Sequence, residues 1–402
     1  MVVTVLTELD VWIDEHWEPS VTVGAWWARL GAAGWAAPTL PPDRGGRGAT
    51  AAEAEAIAAR LAARGVLGPP GGAAMAIVAP TLAAHADAEQ VDSLLRPIVT
   101  GRQAWCLLFS EPGAGTDLAA LETTARPDGD GWRLDGRKTW ATGAHVADMA
   151  IVLARTGPPG SRHRGLTCFA LDMRQGAGIE VRPMREMTGR ALSNDVVLTG
   201  AWVPAGNVIG DVGDGWAVVN VALGSERRTV GTHRSSPAAA GRRSGDLDRP
   251  AGEVVDRPRR ARGTPRPPAA VARRVAASRP RSAVARQDLA RLHGATTVAQ
   301  WTAARAGAME NAGRPLEGAA NIAKLWAGEI ARRSAAVALA ALGARGTLHA
   351  YDGTPIDDDE ATGEATAMAL AAPAVSLVGG VDLVQRDLLG ERVLGLPRSP
   401  AP

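Results

Sequence analysis

A chain of 402 residues with 44 Lys and Arg against 42 Asp and Glu, net charge +2, has room for two or three domains and too even a balance for charge to imply a nucleic-acid partner. Hydrophobic residues at 46% beside charged residues at 21% exclude a disordered or low-complexity class and leave a globular one. Two cysteines, Cys106 and Cys168, both inside apolar runs, exclude a disulfide framework and a zinc site; they read as buried thiols of a reducing, cytoplasmic compartment. The seven histidines are scattered without ligand spacing, so no metal is expected. The N-terminus is acidic early, without a basic n-region, and the longest apolar stretch, "AMALAAPAVSLVGGVDLV", is interrupted by Pro373 and a glycine pair. Neither a secretory signal nor membrane insertion is expected.

In chain order, residues 9–100 read as helices and loops. "VGAWWARLGAAGWAAP" puts Trp26, Leu30 and Ala33 on one face and stops at glycine and Pro38. Thr50 and Glu53 offer a capping box for "AAEAEAIAARLAARG". From about Trp105 the period becomes two. Leu121, Thr123 and Ala125 share one face, and Trp132 and Leu134 share a face of the next strand, with Asp135-Gly136 read as a hairpin turn. "DMAIVLART", "GLTCFALDM", "GIEVRPM" and "NDVVLTGAWVP" supply four more strands at meander spacing. No helices are interleaved with them, which predicts an antiparallel barrel or sandwich and excludes a doubly wound sheet.

Helical pattern returns at "GDGWAVVNVALGSERRTVG". Residues 232–284 then become dense in arginine and proline, with prolines at 237, 250, 258, 265, 267, 268 and 280 that forbid a long helix. Helices resume near "RQDLARLHGATTVAQW" and at "EGAANIAKLWAGEIARR", and the last, "DLVQRDLLGERVLG", stops at Gly395 and Pro397. The expected class is α+β: an N-terminal helical domain (1–104), a central antiparallel β domain (105–210) and a C-terminal helical bundle (211–402), with 232–284 expected to be disordered.

The stretch "LLFSEPGAGTDLA" (107–119) is the motif that carries chemistry. It is glycine-rich, yet it lacks the third glycine of G-x-G-x-x-G and the Lys-Ser/Thr of a P-loop. Together with "DGDGWRLDGRKTWATGA" (128–144), "GDGWAVVNVALGSERR" (213–228), "ANIAKLWAGEIARR" (320–333) and "GGVDLVQRDLLGERVLGLPR" (379–398), in this order and spacing, it resembles the acyl-CoA dehydrogenase family over most of the chain outside 232–284. The resemblance implies a bound FAD along the glycine loop, with Ser110 and Thr116 as hydroxyl positions and Trp140 and Thr142 flanking and hydrogen-bonding the flavin ring. Small residues Gly113, Ala114 and Gly115 would let backbone approach it. It also implies an acyl-CoA substrate, an electron-transferring flavoprotein as electron acceptor, and a homodimer or tetramer, possibly heteromeric.

The reaction so implied is α,β-dehydrogenation, which needs a carboxylate to remove a weakly acidic α-proton and donors on the thioester oxygen. Many members carry that glutamate just before a Gly-Thr in the C-terminal motif; here the position is Gly379. A second group carries it in a Glu-Arg pair on the helix after the β domain, matched by Glu226-Arg227. Glu226 is therefore the expected base, with the backbone N–H of Gly379 as an expected donor. Val381 in place of threonine, and Ala340 and Ala344 where relatives carry cofactor contacts, depart from the pattern. A catalytically silent subunit of a heteromeric assembly is the alternative, and the Arg/Pro stretch is consistent with a shifted reading frame.

Overall fold

The computed structural model describes residues 2–158, 160–232, 245–255, 267–277, 282–314, 316–348 and 360–397. It divides into two compact units: Met1–Met184 with Ala191–Ser225 and Ser235–Thr264, and Arg185–Arg190 with Glu226–Arg234 and Pro265–Pro402. The division falls inside one helix, Gly215–Thr232.

The first unit opens with helices whose apolar faces meet around tryptophan. Trp26 and Trp27, on the helix Val23–Ala32, are buried with Leu9, Ile13, Ile57 and Leu61. Their indole N–H groups donate to Leu67 O (2.5 Å) and Gly68 O (2.9 Å), which satisfies the polar edge that burial would otherwise strand. The helix Ala51–Ala63 begins as expected: Thr50 Oγ1 accepts from Glu53 N while Glu53 Oε2 accepts from Thr50 N.

Eight strands follow: β1 (Trp105–Leu108), β2 (Thr124–Asp128), β3 (Gly131–Lys138), β4 (Met149–Arg155), β5 (Leu166–Asp172), β6 (Ile179–Met184), β7 (Ser193–Pro204) and β8 (Val208–Ile209). Their order in the sheet is β6-β7-β3-β2-β4-β5-β8, with β1 beside β4. Five pairings are antiparallel; β1–β4 and β2–β4 are parallel, so the sheet is mostly, not wholly, antiparallel and is no simple meander. Strands β4 and β5 are buried along nearly their whole length. Alternation sends Ile151, Leu153, Cys168 and Ala170 into a core with Val78, Leu82, Leu95 and Val218. It sends Ala150, Val152, Phe169 and Leu171 the other way, against Leu134 of β3 and Val196, Leu198 and Val203 of β7. The second core lies between strands of one sheet, which therefore curls on itself.

One sequence expectation fails here. Asp135-Gly136 is not a turn but the middle of β3, at a register irregularity between Leu134 and Gly136; the hairpin closes instead at Asp128–Gly131. A Cβ at Gly136 would lie 2.3 Å from Thr123 Oγ1 and 2.7 Å from its Cα. The glycine is there for close approach of a neighbouring strand, a use that sequence alone does not separate from a turn.

The second unit is helical: Pro268–Ala277, Ala283–Asn311, Ala319–Leu342, Glu360–Val375 and Asp382–Leu388. Its core joins Val271, Val275, Leu292, Ile330, Val337 and Leu342 to many alanines, whose small side chains let helices pack closely. Of the Arg/Pro-rich stretch, 233–244, 256–266 and 278–281 lie outside the described residues. The described parts depart from the expected disorder. Ala251–Val255 is a short helix with Ala251 and Val254 in the tryptophan core, and Pro268–Ala277 buries Val271 and Val275. Pro268 opens its helix at a position where the missing N–H costs nothing.

Candidate active site

Two groups of residues carry the motifs, one in each unit. In the first unit the chain leaves β1 into a tight turn in which Glu111 N donates to Ala114 O and Ala114 N to Glu111 O, both at 3.1 Å. Ala114, which the resemblance groups with Gly113 and Gly115, is buried. Gly113 and Gly115 do face open space: a Cβ built on either meets nothing within 4 Å. Thr116 is exposed and Ser110 half-buried, its carbonyl accepting from Thr139 N at 2.9 Å. That bond ties the glycine turn to the segment "KTWATG".

Trp140 sits in this segment at φ 59°, a left-handed conformation that a bulky residue adopts only when its surroundings impose it, and its side chain is 59% exposed. The surroundings do impose it. Before it stands the Thr139–Ser110 bond; after it, Ala141 N donates to Asn194 O at 3.0 Å and Asn194 N to Ala141 O at 3.1 Å. The Asn194 amide, buried, donates again to Ala141 O at 2.9 Å. Thr142 is exposed, with its hydroxyl 3.3 Å from that of Ser193. Ser110, Thr116, Trp140 and Thr142 thus lie on connected segments.

Beneath them are two charged residues that the sequence reading passed over. Lys138, at the end of β3, is wholly buried; its Nζ donates to Leu153 O (2.7 Å), Glu111 Oε1 (2.8 Å) and Phe109 O (3.1 Å). Three acceptors around one nitrogen require the ammonium form. Burial pulls its pKa below the ordinary lysine value, with Glu111 opposing. Burial pushes the Glu111 carboxyl up, yet Lys138 and the backbone N–H groups of Glu122 (2.6 Å) and Thr123 (2.9 Å) outweigh it, and the net shift is downward.

In the second unit, Glu226 is half-buried on the helix Gly215–Thr232. Burial raises its pKa, while Arg227 and then Lys324 pull it back in part. Gly379, at φ 71°, begins the turn before the helix Asp382–Leu388; a Cβ built there would stand 3.7 Å from Arg227 Cγ and 3.8 Å from Arg227 Cα. Position 379 therefore faces the helix at the residue next to Glu226. The turn is held from behind. Gln385 Nε2 donates to Gly379 O and Gly380 O, both at 3.2 Å, and Asn321 Nδ2 to Gln385 Oε1 at 2.7 Å. Buried Lys324 donates to Asp382 Oδ1 (2.5 Å) and Ser376 O (2.8 Å), and Arg332 to Asp382 Oδ2 at 3.0 Å.

Three family models match the chain in order: the acyl-CoA dehydrogenase N-terminal domain over residues 4–102, the middle domain over 106–199 and the C-terminal domain over 269–394. The chain belongs to the acyl-CoA dehydrogenase family. Acyl-CoA dehydrogenase IpdE1 of Mycobacterium tuberculosis is 31% identical over 380 residues, covering 93% of this chain and 88% of that one. Acyl-CoA dehydrogenase FadE34 of the same organism is 44% identical over 191 residues, 46% of this chain but only 26% of that longer one. Among solved structures, the ChsE4–ChsE5 complex of M. tuberculosis superposes at a TM-score of 0.71 with 25% identity, over 99% of this chain and 97% of that one. Acyl-CoA dehydrogenases are flavoproteins, and the first group of residues suits a flat ring: exposed indole, exposed hydroxyls, and glycines open where a side chain would intrude. Among the described residues, no helix is long and apolar enough to cross a membrane.

Glu111, Lys138, Lys324, Asp382 and Gln385 are what motif reading missed. The available signal was a charged or amide residue inside each otherwise apolar or glycine-rich motif.

Proposed function

We propose that this chain is an FAD-dependent acyl-CoA dehydrogenase that takes the α-proton of an acyl-CoA thioester with Glu226. The FAD, held by Ser110, Thr116, Trp140 and Thr142, would supply a hydride acceptor for the β-carbon. The chain's own residues do the rest. Burial of Glu226 raises its basicity toward working pH, which matches a general base to its task. Arg227 and, to a lesser degree, Lys324 limit that rise. The Gly379 N–H is the proposed donor to the thioester oxygen, a role that needs no side chain. Electrons would leave to an electron-transferring flavoprotein.

The observation that carries this reading is the approach of position 379 to Arg227. The C-terminal motif meets the helix that carries the second candidate at Arg227, the chain neighbour of Glu226, and at position 379 there is no side chain. Glu226 is the carboxylate left. The test is anaerobic bleaching of protein-bound flavin on adding an acyl-CoA. Glu226→Gln keeps the flavin and loses bleaching by about 10²–10⁴-fold, the range for a positioned general base; bleaching within tenfold of wild type refutes the assignment.

A second reading has its own support. Gly379 leaves the C-terminal motif without a carboxylate and Val381 leaves it without a hydroxyl, and one similar structure is a complex of two differently named chains. A subunit that supports a catalytic partner would stay colourless in excess FAD when purified alone, and would acquire flavin only on co-expression with that partner.

A further inference from the structure

Two charges removed from water deep in the first unit need an explanation. A buried ion pair is seldom more stabilising than well-packed apolar side chains of the same volume, so its worth lies in geometry that apolar packing does not give. Glu111 and Lys138 have such a geometry. Every Lys138 proton has an acceptor, two of them backbone carbonyls, on β1's exit at Phe109 and on β4 at Leu153. Each Glu111 carboxylate oxygen takes a backbone N–H from the 122–123 segment that leads into β2. Glu111 itself is the first residue of the glycine turn, and Lys138 stands two residues before Trp140.

We infer that the Glu111–Lys138 pair is a positioning device: it locks the glycine turn 111–116 and the Trp140 segment to each other and to β2 and β4, so that Ser110, Thr116, Trp140 and Thr142 present one preformed surface. Both side chains are buried and form no part of that exposed surface. The inference rests on the flavin reading for what that surface binds, but not for the locking itself. Apolar packing would tolerate small slides of the turn; a carboxylate with a fixed direction for each oxygen does not. The left-handed backbone of Trp140 is consistent with this. It persists because both flanking residues are fastened, and Lys138 anchors the strand end from which that fastening starts.

The experiment uses the full chain with Glu111→Gln, Lys138→Met and the double variant, and has two readouts. The first is hydrogen exchange of the amides in 110–117 and 139–143, without ligand. The second is FAD affinity by quenching of flavin fluorescence. Each single variant is expected to exchange at least about tenfold faster in both segments while β4 and β5 stay protected, and to bind FAD at least about tenfold more weakly; the double variant is no worse than the worse single one, as one shared device requires. Glu111→Gln keeps the acceptor for Thr123 N and is the variant to rely on if Lys138→Met fails to fold. Exchange and affinity within twofold of wild type, or losses that add in the double variant, overturn the inference. A wild type that binds no FAD overturns the flavin reading instead, and the exchange measurement then decides the positioning claim on its own.

Discussion

Replacing Lys324 by methionine removes a charge and three donors while keeping the length of the side chain. Lys324 is wholly buried and its Nζ lies 2.5 Å from Asp382 Oδ1 and 2.8 Å from Ser376 O. Breaking a buried pair by removing one partner costs about 3–5 kcal/mol. Here Arg332 still holds Asp382 Oδ2 at 3.0 Å, and Asp382 retains some solvent contact, so the cost falls at or just below the lower end of that range, about 2–3 kcal/mol. For a unit of this size that is a melting point lower by about 4–12 °C. A second consequence separates this lysine from a mere scaffold. Lys324 is one of the two cations that hold the Glu226 pKa down, so its loss lets burial raise that pKa further. The proposed base works ionised, so the bleaching rate is expected to rise with pH through the Glu226 pKa, and the acid limb of that profile to move to higher pH in Lys324→Met. Stability carries the opposite sign. A carboxyl whose pKa is raised on folding binds its proton more tightly in the native state, so its contribution falls as pH rises from the unfolded value through the folded one. Calorimetry and stopped-flow bleaching from pH 5 to 9 read the two effects. A melting point within 1 °C of wild type refutes the network argument, and a lower melting point with an unmoved limb refutes the electrostatic link to Glu226.

Three further outcomes follow from the same geometry. Gly379→Glu in the Glu226→Gln background is expected to restore part of the bleaching, since that side chain starts 3.7 Å from Arg227 Cγ; the left-handed backbone costs about 1–2 kcal/mol of stability in return, and no recovery in a folded variant speaks against convergence of the two positions. Gly136→Ala drives a Cβ to 2.7 Å from the Thr123 backbone and is expected to destabilise by about 1–3 kcal/mol, seen as a shifted urea midpoint. Thr50→Ala removes the hydroxyl that accepts from Glu53 N and leaves the Thr50 N bond to Glu53 Oε2; it is expected to cost about 1 kcal/mol with flavin binding unchanged, which makes it the control for stability loss without loss of site.

The glycine turn and the residues proposed to hold the flavin stand out in the sequence because local chemistry marks them: glycines after an apolar run, hydroxyls at the turn, and a tryptophan flanked by threonines. The buried lysines were not. A lysine in "GRKTW" or "IAKLW" reads as solvated until the strand or helix around it is seen to leave no water. Their partners lie 27 and 58 residues away, a separation across which sequence pattern carries no pairing signal. The Asp135-Gly136 misreading has the same origin, because a glycine required by Thr123, the residue just before β2, looks identical to one required by a turn.

By itself the sequence determined the helical and strand periods, the capping box at Thr50, and the motif order that places this chain in its family, since each depends on neighbours within a few residues. Tertiary structure alone decided which faces of β4 and β5 meet which core, how β1 and β2 come to run parallel to β4, and which charges are taken from water. Those outcomes depend on desolvation and on contacts between distant segments. The raised basicity of Glu226 and the pinning of the Gly379 turn belong to that second class, because both are set by groups that only folding brings near.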